Sequence, residues 1–149
     1  MKRLLLVLCL FLLIISHVSG AFFPTKTTKS EYKVKLSSDR QIYSPQEVIG
    51  VAILLYTHKD CQLQFSSGQI YDLYLQDEGK RIIWHLSSEK KYIQSLTTLH
   101  LKANDPLLFC EVINLAKKSL SVKPGDYELV VEVKTKTQKV KDSTFIRIR

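Results

Sequence analysis

Apolar and polar residues alternate along most of the chain from residue 31 onward, as in β-strands that bury one face. The longest run is Val48–Tyr56, in which the alternate apolar set is Ile49, Val51, Ile53 and Leu55. Gly50, Ala52 and Leu54 leave the other face apolar as well, which predicts a central strand. Further strands are predicted at residues 32–36, 61–65, 70–76, 81–84, 92–101, 127–134 and 143–149.

Turn-forming sequences separate these segments about every 8–12 residues, as in antiparallel sandwiches. They include residues 44–47 (Ser-Pro-Gln-Glu), 122–126 (Val-Lys-Pro-Gly-Asp) and 77–80 (Asp-Glu-Gly-Lys), whose glycine is available for a positive φ. We therefore predict one immunoglobulin-like antiparallel β-sandwich of about seven to nine strands over residues 31–149. Residues 21–30 show no periodicity and are interpreted as a leader.

One segment fits two patterns. The Asp-Pro pair at residues 105–106 is typical of a helix start, and Leu108, Val112 and Leu115 follow at helical spacing. Read as a strand, the same stretch has apolar residues at every second position from 108 to 112. The surrounding β-pattern favours the second interpretation, and we predict a strand over residues 107–113.

The first twenty residues have the organisation of a signal peptide. Lys2 and Arg3 precede an unbroken apolar run over residues 4–15, and small residues end at Gly20. Twelve residues at 1.5 Å each span about 18 Å, short of the roughly 30 Å needed to cross a bilayer. We therefore predict cleavage before Ala21 and a secreted or periplasmic protein that does not span the membrane.

The net charge of the chain changes the prediction of an exported β-sandwich little. Without Lys2 and Arg3, the 22 basic residues become 20 against 14 acidic ones, a net charge of +6. The basic residues are scattered over the predicted strands, and only residues 134–141 approach a cluster. This distribution predicts a solvated, lysine-bearing hairpin and no nucleic-acid partner.

Two cysteines, Cys61 and Cys110, remain after the predicted cleavage. An even number in an exported chain makes a disulfide one hypothesis, and closing this loop would stabilise the fold by about 4 kcal/mol. Two separate buried thiols are the other hypothesis, since both residues lie in apolar alternations. The sequence leaves both open.

No catalytic or metal-binding constellation is evident in the sequence. His58, His85 and His100 are far apart and lack partners at metal-ligand spacing. The serines at residues 66–67 lack a Gly-x-Ser-x-Gly motif, and the acidic pair at 77–78 falls in a hairpin tip. We predict that the protein is not an enzyme and uses no cofactor.

The aromatic residues suggest one core position and one contact position. Trp84 ends the second strand of an apolar hairpin and is expected in the core between sheets. Tyr74 has the opposite phase to Tyr71, Leu73 and Leu75, and is a candidate for an exposed contact residue.

The region around these aromatics resembles the intracellular proteinase inhibitor (BsuPI) family of bacteria. Residues 65–73 read Phe-Ser-Ser-Gly-Gln-Ile-Tyr-Asp-Leu, followed by the 77–80 turn, Ile-Trp at 83–84 and Tyr-Ile-Gln at 92–94. The resemblance extends over roughly residues 32–148.

It implies a small immunoglobulin-like sandwich that binds a protein, with a serine proteinase as the implied target. The signal peptide is a departure from a family named for an intracellular inhibitor. The alternative is a structural or adhesive module of the cell envelope without a proteinase target. Candidate partner-binding residues are Ser66, Ser67, Gly68, Gln69 and Tyr74.

Overall fold

A computed structural model of the chain describes residues 31–117, 120 and 122–149. This part contains ten β-strands and one short 3₁₀ helix, Leu86–Ser88, and no α-helix. The predicted signal peptide and leader lie outside the described residues. The strands are β1 (Lys33–Ser38), β2 (Ile42–Tyr43), β3 (Val48–Tyr56), β4 (Cys61–Phe65), β5 (Asp72–Asp77), β6 (Ile82–His85), β7 (Thr97–Leu101), β8 (Leu107–Asn114), β9 (Gly125–Lys134) and β10 (Lys139–Ile148).

These strands form three sheets in the described part of the chain. Their orders are β1-β3-β8, β2-β10-β9-β5-β6 and β4-β7. All pairs are antiparallel except the short pair of β2 with β10, which is parallel. β3 lies between β1 and β8, which confirms the central strand predicted from its two apolar faces.

All three sheets contribute their buried faces to one hydrophobic core. Alternate residues of each long strand point inward, and Ile53 of β3, Leu73 of β5 and Leu129 of β9 are fully buried. Burying a side chain of this size stabilises the fold by about 1.5–3 kcal/mol. Backbone–side-chain bonds also join the sheets, since the Leu36 amide donates to Asp142 Oδ2 at 2.8 Å. The all-β sandwich predicted from the alternation is confirmed.

The number of strands, one strand boundary and one turn differ from the prediction. The strand predicted over residues 92–101 begins only at Thr97. The described strands number ten rather than seven to nine, because the two-residue strand β2 is too short to show a period. In the β5–β6 hairpin the positive φ falls on Lys80 (63°) rather than on the neighbouring glycine. The turn is held there by Asp77, whose carbonyl accepts from the Lys80 amide at 2.9 Å and whose Oδ1 accepts from the Arg81 amide at 2.9 Å.

The ambiguous segment after Pro106 is a strand. β8 covers Leu107–Asn114 and pairs with β3 from Leu55↔Leu107 to Val48↔Asn114. The prediction of a strand over residues 107–113 is therefore confirmed, because pairing with β3 provides ladder hydrogen bonds that outweigh the local helix-start signal.

Candidate protein-binding surface

The loop of residues 66–69 leaves β4 and leads toward β5. Ser66 and Gly68 are exposed, while Ser67 and Gln69 are half-buried. The Gly68 amide donates to the carbonyl oxygen of Ile93 at 2.9 Å, and the Gln69 amide donates to Ser67 Oγ at 3.2 Å. A backbone hydrogen bond thus joins the loop of the four predicted contact residues to a second segment of the chain.

That second segment, residues 93–96, carries two exposed apolar side chains. Ile93 is 77% exposed and Leu96 is 71% exposed, and the two residues between them are also exposed. The segment has no regular secondary structure and leads directly into β7. Exposed apolar side chains beside one another mark interaction surfaces more often than isolated ones do. We refer to residues 66–69 and 93–96 as the loop pair.

Two hydrogen bonds to Glu111, one of them partly buried, hold the chain just after residues 66–69 and just before residues 93–96. The Tyr71 hydroxyl donates to Glu111 Oε1 at 2.6 Å, and Lys90 Nζ donates to the same oxygen at 2.6 Å. Burial, and then the bond to the Glu111 carboxylate, raises the pKa of the Tyr71 phenol. Burial and the carboxylates of Asp72 and Glu111 likewise raise the pKa of Tyr92, which precedes the exposed segment. These contacts join the base of the loop pair to β5 and β8.

Asp72, His85 and Ser87 form a second polar group beside this base. Asp72 Oδ2 lies 2.6 Å from His85 Nε2, and Ser87 Oγ lies 3.2 Å from Nδ1 and 3.4 Å from Nε2. A catalytic triad places the carboxylate on one ring nitrogen and the serine on the other nitrogen alone. Here the Ser87 hydroxyl is almost equidistant from the two ring nitrogens of His85, a residue only two positions away in the sequence. The arrangement orders the start of the 3₁₀ helix and lacks the geometry of a nucleophile–base pair.

Trp84 lies in the core, as predicted, and is 5% exposed. Its Nε1 donates to Glu89 Oε1 at 2.8 Å, and Lys117 Nζ donates to Glu89 Oε2 at 2.7 Å. The hydrogen bonds from Lys117 and Trp84 lower the pKa of the Glu89 carboxyl group. The chain that leads from β6 to the loop pair is therefore attached to the core.

Tyr74 lies on the outer face of the five-stranded sheet and not in the loop pair. It is half-buried, its ring packs edge-on against His85 at a centroid distance of 5.8 Å, and its hydroxyl oxygen is 3.0 Å from Lys141 Nζ. The predicted opposite phase to Leu73 and Leu75 is correct, because both leucines are buried. The loop residues and Tyr74, grouped as candidates by the sequence, occupy different places in the fold.

The hypothesis of a disulfide between Cys61 and Cys110 is not supported, because both are free thiols in the structure. Cys61 is half-buried on β4, whereas Cys110 is exposed on β8, and the two strands belong to different sheets. The alternative of two buried thiols is also wrong for Cys110. Cys110 lies on the outer face of β8, and the alternation in the sequence alone does not show which face of this strand is the outer one.

Across residues 31–117, 120 and 122–149, no group of three or more His, Cys, Asp or Glu side chains could hold a metal ion. No helix in the same residues is long and apolar enough to cross a membrane.

Comparison with known proteins identifies one family. The family model "BsuPI: Intracellular proteinase inhibitor" matches residues 36–138, which include the loop pair and every strand from β3 to β9. A search of curated proteins found no match.

Several solved structures share the fold at low sequence identity. The sporulation control protein Spo0M of Bacillus subtilis aligns with a TM-score of 0.53 and 13% identity over 81% of this chain and 50% of that chain. The C-terminal domain of wzt aligns with a TM-score of 0.51 and 11% identity over 81% of this chain and 75% of that domain. This chain therefore spans half the length of Spo0M. At these identities the likeness shows a common sandwich fold alone.

Proposed function

The chain belongs to the BsuPI intracellular proteinase inhibitor family, and from this premise we propose that it binds and inhibits a serine proteinase without catalysing a reaction. We further propose that it acts outside the cytoplasm, since residues 1–20 have the pattern of a signal peptide. The family match supports the inhibitory role. The export of the protein and the identity of its proteinase are themselves part of this proposal.

The exposed loop pair is the observation that carries the proposal. Inhibitors of standard size bind through rigid, preorganised loops, because a loop that is already ordered loses little conformational entropy on binding. Ile93 and Leu96 project from a segment whose main chain is tied to Gly68 and whose base is held through Glu111. The loop pair thus combines exposed apolar anchors with a fixed backbone.

The side chains of the loop pair indicate the class of target. An apolar side chain fits a hydrophobic primary specificity pocket, whereas trypsin-like pockets contain a carboxylate that requires a basic residue. Since Ile93 and Leu96 are the apolar side chains among the four exposed residues of the segment, we propose a chymotrypsin-like or subtilisin-like proteinase rather than a trypsin-like one.

Substitution of both anchors tests this assignment. The variant Ile93→Ser/Leu96→Ser should fold normally, because both side chains are mostly exposed. Truncating one interface anchor costs about 2 kcal/mol or more, which is about thirtyfold in the inhibition constant, so we expect the loss of both anchors to raise that constant at least about a hundredfold.

Ile82→Ser is the matched control, because Ile82 is a 51% exposed isoleucine on β6, outside the loop pair. This variant should inhibit as the wild type does. Equal loss of inhibition in the control and in the double variant would contradict the assignment of the site.

A further inference from the structure

The strand β8 is an edge strand that contains neither lysine nor proline, and its one charged residue, Glu111, faces inward. It pairs only with β3 among the described strands, so one side of its eight residues presents unpaired backbone groups. Natural edge strands are commonly protected by lysine or proline. The opposite edge of the same sheet, β1, carries Lys33 and Lys35, whereas β8 reads Leu-Leu-Phe-Cys-Glu-Val-Ile-Asn. This edge is therefore open to pairing with another strand.

The outer face of β8 is apolar as well as unpaired. Leu108 is 61% exposed, Val112 is 66% exposed, and Cys110 lies exposed between them. Their partners on β3 are Leu54, Ala52 and Gly50, in that order. The apolar surface thus extends from β8 across the centre of the sheet.

The sequence of β8 favours one register for pairing with the same edge of a second copy. In an antiparallel pair, directly opposite side chains point to the same face of the sheet, so the two residues are an even number of positions apart. When a two-fold axis relates the strands, one residue therefore lies opposite its own copy. Centring on Phe109 pairs only five of the eight strand residues, and centring on Glu111 opposes two carboxylates. Centring on Cys110 pairs seven residues and places Leu108 against Val112 of the second copy. It also leaves no like charges opposed.

The charges at the two ends of β8 favour the antiparallel arrangement. Asp105 is exposed just before the strand, and Lys117 follows it, with a side chain that pairs with Glu89 and stays 45% exposed. Antiparallel pairing brings the acidic end of each copy to the basic end of the other. A parallel arrangement would bring like charges together.

We propose that β8 is a homodimerisation edge, on which a second copy of the chain pairs antiparallel with the two-fold axis at Cys110. The two three-stranded sheets then form one continuous six-stranded sheet, and Leu108 and Val112 of the two copies cover each other. A single strand pair buries less than the roughly 1,600 Å² of a standard interface. The dimer is therefore a concentration-dependent one. This inference does not depend on the proposed proteinase target.

Sedimentation equilibrium of the protein, purified as its expression host processes it, tests the proposal. We expect a monomer–dimer equilibrium in the wild type. Val112→Lys should raise the dimer dissociation constant at least about tenfold, because it removes the apolar contact with Leu108 at two symmetric positions and places on the strand a lysine, the residue that commonly blocks edge pairing. Phe145→Lys is the control, since Phe145 is 67% exposed on β10 and should leave the equilibrium unchanged.

Cross-linking provides a readout that does not depend on a lysine variant. A short bismaleimide should join two wild-type chains through Cys110, and Cys110→Ser should abolish that product while Cys61→Ser leaves it. A wild type that stays monomeric at all concentrations would overturn the proposal. So would a dimer that is unaffected by Val112→Lys, or one whose cross-linking does not need Cys110.

Discussion

Replacing Trp84 with alanine removes the largest side chain on β6 from the core. Trp84 is 5% exposed, and truncating a buried tryptophan to alanine costs about 3–5 kcal/mol. The lost indole N–H does not orphan its acceptor, because Lys117 still donates to the Glu89 carboxylate. The cost therefore comes mainly from the cavity. Domains are stable by about 5–15 kcal/mol, so this one change removes a large part of the total.

Urea denaturation followed by far-ultraviolet circular dichroism measures this loss. Trp84 is the single tryptophan of the chain, so fluorescence cannot follow the variant. For a domain of this size the expected cost corresponds to a melting temperature lower by about 10–20 °C. Trp84→Phe is the control, since it keeps an aromatic ring but loses the bond to Glu89, and should cost less than the alanine variant. An alanine variant as stable as the wild type would refute the placement of the indole in the core.

Three further predictions concern acid stability, the thiols and export. The hydrogen bond from Lys80 is the main cause that lowers the Glu128 pKa from 4.5 to about 2, so the pair's stabilisation is complete above pH 4.5 and is lost as the pH falls toward 2. Because Lys80 is largely exposed, Glu128→Gln should cost only about 1 kcal/mol at pH 7 and clearly less near pH 2, where about half of the Glu128 carboxyl groups are protonated, as compared by urea titration at both pH values. In dilute protein without reductant, maleimide should label both Cys61 and Cys110, with Cys110 faster, and protection of both would restore the disulfide hypothesis. Amino-terminal sequencing of protein from the native host should begin at Ala21, and recovery of the uncleaved chain would contradict export.

The strands were predictable because a strand with one buried face has a two-residue period that the sequence displays directly. Val48–Tyr56 was predicted with the bounds that the structure shows. β2 could not be predicted, because two residues contain no period and its pairing with β10 depends on distant sequence. The strand predicted over residues 92–101 is shorter in the structure and begins at Thr97.

The candidate site was predictable only in part. The serines and glycine of residues 66–69 were identified by their sequence, but Ile93 and Leu96 fell within the strand predicted over residues 92–101. The Gly68–Ile93 hydrogen bond joins this segment to residues 25 positions away in the sequence. The bond of Tyr71 to Glu111 spans 40 residues. Such contacts are set by the packing of the sheets, and local periodicity contains no information about them.

Titration of active serine proteinases with the purified, processed protein tests the central claim most directly. The panel should include chymotrypsin-like, subtilisin-like and trypsin-like enzymes, each at known active-site concentration. We expect the activity of at least one proteinase with an apolar primary pocket to fall to an endpoint near one inhibitor per enzyme. Activity that is unchanged across the panel at a several-fold molar excess would contradict inhibition, and would favour an adhesive or structural module of the cell envelope.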